Sequence, residues 1–318
     1  MHPGSGVRLP WRMVASVGGA GWDQCSAGSR QCFRPKAVRC SRLRKDADRV
    51  QRNEVQPRTN DQWAFPLPPR IVSIPGVRPL ELEVVEADDM GPRMRRMRLR
   101  GAGLEDFAYE PGQDIMLVLS GGERPLSRRY TIRGFDTVSA TLELNVVAHG
   151  VHGPGARWAS TTQAGDRVNG VGPRGKILLD RAADWHLFLG DETAAPGSLH
   201  MLEALAPHVP GQAYLEVASP EDELPSTVGR SSAQQVEWLY RGDTPAVEST
   251  ILVDAMTTLE LPDGRGHVYI AGEVQVANAV LRAAMARGLT VDQVSAKAYW
   301  GRGKPNENNG EPGDRAGV

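Results

Sequence analysis

The chain changes its hydrophobic rhythm once, at Gly172-Pro173-Arg174-Gly175, and that change constrains the fold more than any other feature. Before it, six short segments alternate apolar and polar residues: 80–85, 94–99, 114–119, 128–133, 140–148 and 166–171. Gly91-Pro92, Pro111-Gly112 and Gly121-Gly122 punctuate them. Successive strand side chains point to opposite faces, so this rhythm predicts strands joined by tight turns. Six such strands with one short helix at 154–161 predict a closed antiparallel barrel. After the change, apolar strand candidates at 185–189, 212–218, 236–240, 267–271 and 294–300 are interleaved with helical patterns at 193–206, 246–259 and 274–287. That order predicts a parallel sheet with helices on its faces, where ligands bind beyond the carboxyl ends of the strands.

A length of 318 residues accommodates both units. The expected division is a basic, disordered leader at 1–74, a barrel domain at 75–178, an α/β domain at 179–305 and a flexible tail at 306–318. Residues 1–60 carry 12 Lys/Arg against 4 Asp/Glu, while the remainder carries 25 against 34. The basic leader reads as a solvated segment that binds nothing specific, so no nucleic-acid partner is expected. Cys25, Cys32 and Cys40 all lie in it. The body lacks cysteine, which excludes a Cys-ligated iron–sulfur cluster and thiol catalysis there. No run of eighteen apolar residues occurs, so no stable membrane association is expected.

Two segments carry chemistry. Arg128-Arg129-Tyr130-Thr131-Ile132-Arg133 reads as a strand with Arg128 and Tyr130 on one face, and Arg133 is expected to share that face. A guanidinium pairs with phosphate, and a phenol ring lies on a flat ring system. His149-Gly150-Val151-His152-Gly153-Pro154-Gly155-Ala156-Arg157-Trp158-Ala159 follows as a Gly/Pro loop opening a helix. Gly153 and Gly155 let backbone approach a bulky anion, Pro154 suits the first helical turn, and the N-terminal N–H groups would face a pyrophosphate. His149, at the strand end, is a further candidate contact. Trp158 reads as a barrel plug. His149 and His152 have no third ligand at metal spacing, so no metal site is expected.

Arg-x-Tyr-Thr resembles the flavin motif of the ferredoxin-reductase-like superfamily. The His149–Ala159 block resembles the siderophore-interacting protein (ferric-siderophore reductase) family. Two further blocks do as well: Leu189-Gly190-Asp191-Glu192-Thr193-Ala194-Ala195-Pro196 and Lys297-Ala298-Tyr299-Trp300-Gly301-Arg302-Gly303. The resemblance covers roughly residues 75 to 313. It implies an FAD-binding Greek-key barrel followed by a nucleotide-binding α/β domain. It also implies electron transfer from NAD(P)H through FAD to iron(III) held by a siderophore, with iron(II) released in the cytoplasm. FAD would be held by Arg128, Tyr130, Thr131 (near flavin N5), Arg133, His149, Gly153, Pro154 and Gly155. No protein group acts as a catalytic acid or base in this scheme.

The dinucleotide side is expected at Gly190, Asp191, Glu192, Thr193, Gly272 and Glu273, with Thr193 capping a helix. No GxGxxG fingerprint is present. Carboxylates at Glu221, Asp222 and Glu223 after the second parallel strand lean toward NADH, while Arg230 and Arg241 remain available for a phosphate. Asn278 and Gly301 replace arginines that the family tends to carry. For an anionic ferric siderophore, Lys297, Arg302 and Lys304 are the candidate contacts, with Arg100 and Arg124 adding to a cationic rim. A monomer is expected. The alternatives are a flavin or ferredoxin reductase with another acceptor, and a flavin-binding or iron-chelate-binding protein without turnover.

Overall fold

The computed structural model describes residues 59–73, 75–120, 126–148, 153–228 and 233–302. The leader up to residue 58 and the tail from 306 lie outside them. After a short helix α1 (Pro69–Val72) come β1 (Arg78–Asp89), β2 (Met94–Ala102), β3 (Asp114–Val118), β4 (Ser127–Thr131), β5 (Gly134–Asp136), β6 (Thr141–Val147), α2 (Pro154–Thr161) and β7 (Arg167–Arg174). The seven strands form one antiparallel sheet in the order β4-β3-β7-β1-β2-β6-β5.

The expected antiparallel barrel is present as a curled seven-stranded sheet with β4 and β5 at its ends. Its closure is local: just past β4, the Arg133 N–H donates to the Glu143 carbonyl of β6 at 2.9 Å. The expected strand 128–133 is accordingly two, because the chain turns at Ile132–Arg133 to start β5. Inside the curl, Leu80, Leu82 and Val84 of β1 are fully buried while Glu81 and Glu83 between them are exposed. Met97, Leu99, Ile115, Leu117, Leu142 and Leu144 complete this core, and Trp158 of α2 plugs it.

The fold begins earlier than the expected boundary at 75. Trp63 bridges Val168 and is buried in the barrel core. The Arg167 N–H donates to the Asn60 carbonyl at 2.7 Å, and Asn169 Nδ2 donates to the Phe65 carbonyl at 3.0 Å. Ile71 joins Met116, Val118 and Val171 in a second cluster. β3 is therefore covered on both faces, which is why all five of its residues are buried. Trp63, Phe65 and Ile71 follow no regular period, so a periodicity argument passes over them.

The second unit contains β8 (Trp185–Asp191), α3 (Ala195–Glu203), β9 (Gly211–Val217), β10 (Gln234–Tyr240), α4 (Ile251–Thr258), β11 (Gly266–Glu273), α5 (Val274–Ala286) and β12 (Val294–Trp300). Its five strands are all parallel, in the order β10-β9-β8-β11-β12. Alternation along β8 sends Phe188 to the α3 face with Leu199 and Leu202. Leu187 and Leu189 go to the α4/α5 face with Leu252, Met256 and Val280. Both faces are covered, so β8 and β9 are buried throughout. The expected helix 246–259 is divided into a 3₁₀ turn, Ala246–Glu248, and α4.

Candidate functional site

The strand β4 carries two adjacent arginines with opposite surroundings. Arg129 donates Nε and Nη2 to Asp114 at 3.0 and 2.5 Å. Arg128, on the other face, is half-buried, and its Nη1 donates to the Ser127 carbonyl at 2.8 Å. Burial lowers the Arg128 pKa, and no carboxylate among the described residues offsets that. Tyr130 shares its face, with its ring centroid 5.2 Å from that of Trp158. Burial raises the Tyr130 pKa, so its hydroxyl stays protonated.

The helix α2 starts directly against this pair. A Cβ on Gly155 would stand 3.1 Å from Arg128 Cγ and 3.4 Å from the Tyr130 hydroxyl. Gly153 precedes the helix at φ +87°, a conformation other residues adopt at a cost. The first N–H groups of a helix have no intrahelical partner. A half-buried cation with no carboxylate partner among the described residues, beside such donors and a buried phenol, fits the pyrophosphate of a flavin dinucleotide. Arg128, Tyr130, Gly153, Pro154 and Gly155 are therefore brought together as expected, while His149 lies outside the described residues.

Thr131 ends β4 where the barrel meets the α/β unit. Its Oγ1 lies 3.3 Å from Tyr299 Oη of β12. A Cβ on Gly197, in the first turn of α3, would come within 2.7 Å of Thr131 Cγ2, so glycine permits the approach. Lys297 Nζ is 3.6 Å from Asp114 Oδ2 and 6.0 Å from the centre of the Tyr299 ring. Tyr109 Oη and His200 Nε2 are 2.9 Å apart across the same boundary. Burial and the nearby Arg133 push His200 down to about 4, so it is neutral at neutral pH.

Two expectations are corrected here. Arg133 does not share a face with Arg128, because residues five apart on a strand point oppositely and β4 ends at Thr131. Its Nη1 and Nη2 donate to Glu203 of α3 at 2.6 and 3.0 Å, fastening the two units together. Lys297 is not a rim cation: its side chain is 14% exposed and lies beside Asp114. Arg302 is exposed, 3.8 Å from Glu248. Arg100 donates to Thr141 Oγ1 at 2.8 Å on the barrel. Arg124, Arg230 and Lys304 lie outside the described residues.

The residues expected on the dinucleotide side gather at the carboxyl ends of β8 and β11, but their side chains serve mainly to build that rim. Asp191 is buried and accepts from Thr193 N and Oγ1 at 2.9 and 2.5 Å, Glu273 N at 2.8 Å and Trp300 Nε1 at 2.8 Å. Thr193 therefore does not cap α3; its hydroxyl is taken by Asp191, and the helix starts two residues later. A Cβ on Gly190 would collide with Ala194 Cβ at 2.5 Å, and one on Gly272 (φ +135°) with Asp191 Oδ2 at 2.7 Å. Glu273 caps α5, its Oε2 accepting from Gln275 N and Val276 N at 2.5 and 3.0 Å. Glu192 holds Arg241 through two bonds of 2.6 and 2.8 Å.

Sequence reasoning missed Asp114, Gly197, His200, Glu203 and Glu216. None stands in a motif, and each acquires its role from an element distant in sequence. Glu216 is buried near the end of β9, and burial lifts its carboxyl to about 7. It faces a small cleft with Asp191 and Glu273 between the sheet and α4/α5.

A curled antiparallel sheet followed by a five-stranded parallel sheet is a fold shared with solved ferredoxin reductases. Residues 112–177 match the siderophore-interacting FAD-binding domain, and residues 183–303 match the siderophore-interacting protein family. An uncharacterised protein of Mycobacterium tuberculosis is 34% identical over 265 residues, covering 72% of this chain and 93% of that one. Ferric vibriobactin reductase ViuB of Vibrio cholerae is 31% identical over 189 residues, covering 58% and 68%. The crystal structure of a siderophore utilization protein from T. fusca superposes with a TM-score of 0.64 at 29% identity, covering 73% and 95%. The chain belongs to the siderophore-interacting protein family, and its barrel is an FAD-binding domain. Among the described residues, no helix is long and apolar enough to cross a membrane.

Proposed function

We propose that this chain is a ferric-siderophore reductase that takes two electrons from NAD(P)H and delivers them singly to two equivalents of siderophore-held iron(III), its substrate. Bound FAD supplies the conversion between two-electron and one-electron chemistry. Each iron(II) formed binds a hard-oxygen chelator far less tightly and leaves; the oxidised dinucleotide and one proton are the other products. The reading places the reaction in the cytoplasm, where the reduced dinucleotide is available.

The observation that carries it is Arg128, a half-buried guanidinium with no carboxylate partner among the described residues, set against Tyr130 and the glycine-fronted start of α2. In this reading Arg128 and the α2 N–H groups bind the FAD pyrophosphate, and Tyr130 lines the cofactor. Thr131 and Tyr299 position the reacting edge at the boundary between the two units, where a dinucleotide on the β8–β11 rim would reach it. Family membership and ViuB support the ferric-siderophore acceptor. No general base is needed at iron. The test is anaerobic: FAD-loaded protein is given NADH or NADPH and then a ferric siderophore with an iron(II) trap. Trapped iron(II) at two per dinucleotide is expected; none, with either dinucleotide, overturns the reading.

A further inference from the structure

The carboxyl corner of β9 and β10 gathers buried charges from three strands. Glu192 follows β8, Glu216 lies in β9, and Arg241 follows β10. Because β9 runs between β8 and β10, the Glu192–Arg241 ion pair arches over its end. The side chains of that pair are 10% and 7% exposed, and Glu216 stands 3.7 Å behind Arg241. Arg241 is thus held by Glu192 and backed by Glu216. The Arg241 and Gly242 N–H groups donate to the Val217 and Ala218 carbonyls at 3.0 Å, so the arginine's backbone is anchored as well.

The outer surface of the corner has one flat apolar element and an excess of negative charge. Tyr240, the last residue of β10, is 46% exposed. Its hydroxyl donates to Glu223. Glu221 is exposed, and hydrogen bonds from backbone and from Ser219 hold its carboxyl below the ordinary range. Arg93 reaches the corner from the barrel, but it is paired with Asp222 at 2.5 Å. Among the described residues, no cation at this corner lacks a carboxylate partner.

We infer that this corner receives the adenosine half of NADH and rejects that of NADPH, and that Glu192 sets the preference by withholding Arg241. Tyr240 offers a face for adenine stacking, and the carboxylates after β9 accept from ribose hydroxyls. A 2′-phosphate would bring nearly two negative charges against Glu221 and Glu223, with no guanidinium released to meet them. This rests on the proposed reductase reading and narrows its electron donor.

The test is equilibrium binding to FAD-loaded protein by calorimetry, using ADP-ribose and 2′-phospho-ADP-ribose as probes. ADP-ribose is expected to bind at least about tenfold more tightly, equivalent to about 1.4 kcal/mol. In Glu192→Gln, the freed Arg241 should narrow that ratio several-fold, mainly through tighter binding of the phosphorylated probe. Equal or tighter binding of 2′-phospho-ADP-ribose by the unaltered protein overturns this inference and leaves the reductase reading standing. Failure of both probes to bind counts against the dinucleotide-dependent reading itself, and this inference falls with it. A ratio unchanged in folded Glu192→Gln removes Glu192 from its role.

Discussion

Trp300 Nε1 donates to Asp191 Oδ2 at 2.8 Å, so the last strand of the parallel sheet is fastened to the first by one buried carboxylate. The same oxygen accepts from Glu273 N at 2.8 Å, which ties in the end of β11. The carboxyl rim of β8, β11 and β12 is therefore a single hydrogen-bonded unit. Replacing Asp191 with Ala strands these donors in a buried place. The expected loss is about 3–5 kcal/mol in urea unfolding, against about 1–2 kcal/mol for Trp300→Phe, which removes one bond and keeps most of the packing. Equal losses for the two would show that Asp191 is not the hub.

Arg128 and Arg129 are neighbours with predictably different mutant behaviour. Arg129→Met takes from buried Asp114 its two-point partner, leaving Lys297 3.6 Å away, and should destabilise the protein by about 2–4 kcal/mol. Arg128→Met removes a half-buried cation that has no carboxylate partner among the described residues. FAD-free protein should then keep its stability within about 0.5 kcal/mol, while FAD affinity falls by about 2 kcal/mol, roughly thirtyfold. Thermal melts with and without FAD separate the two effects.

Stability should depend on pH through groups with opposing signs. Glu216 is raised from 4.5 to about 7, so the folded protein holds its proton where the unfolded chain has lost it. Its contribution is present below about pH 4.5 and disappears as pH rises to 7. Burial lowers His186 and His200 from 6.5 to about 4; their contribution is present above 6.5 and is lost as pH falls toward 4. Glu216→Gln removes only the first effect. It should stabilise the protein at pH 8 by roughly 1–3 kcal/mol, after allowance for solvent screening, and change little at pH 5. Stability should then fall more steeply than in the unaltered protein as the solution is acidified. A parallel pH profile for the variant contradicts the assignment.

Trp63 lies ahead of the segment in which the strand rhythm is visible, yet it is buried against Val168 in the barrel core. Trp63→Ala should cost about 3–5 kcal/mol. A chain beginning at residue 75 should be destabilised by at least as much relative to one beginning at 59, measured by urea midpoint.

Much of the fold was legible in the sequence because its signals are local. The Leu80-Glu81-Leu82-Glu83-Val84 alternation and the helix opened by Pro154 each encode one element through nearest neighbours. The same holds for the meeting of Arg128, Tyr130 and Gly155, which stand in two compact motifs. What escaped depends on tertiary meeting. Nothing near Arg133 in sequence announces Glu203, 70 residues on. Lys297 looks like a surface cation until β12 brings it to Asp114. Thr193 looked like a helix cap until the depth of Asp191 made it that carboxylate's donor.

The most direct measurement is the visible absorbance of purified, folded protein after FAD loading and desalting, followed anaerobically through addition of NADH and then a ferric siderophore. The account predicts a yellow protein that bleaches with the dinucleotide and regains its colour as iron(II) appears in a trap. A folded protein that emerges colourless, or one whose flavin neither NADH nor NADPH bleaches, would contradict it.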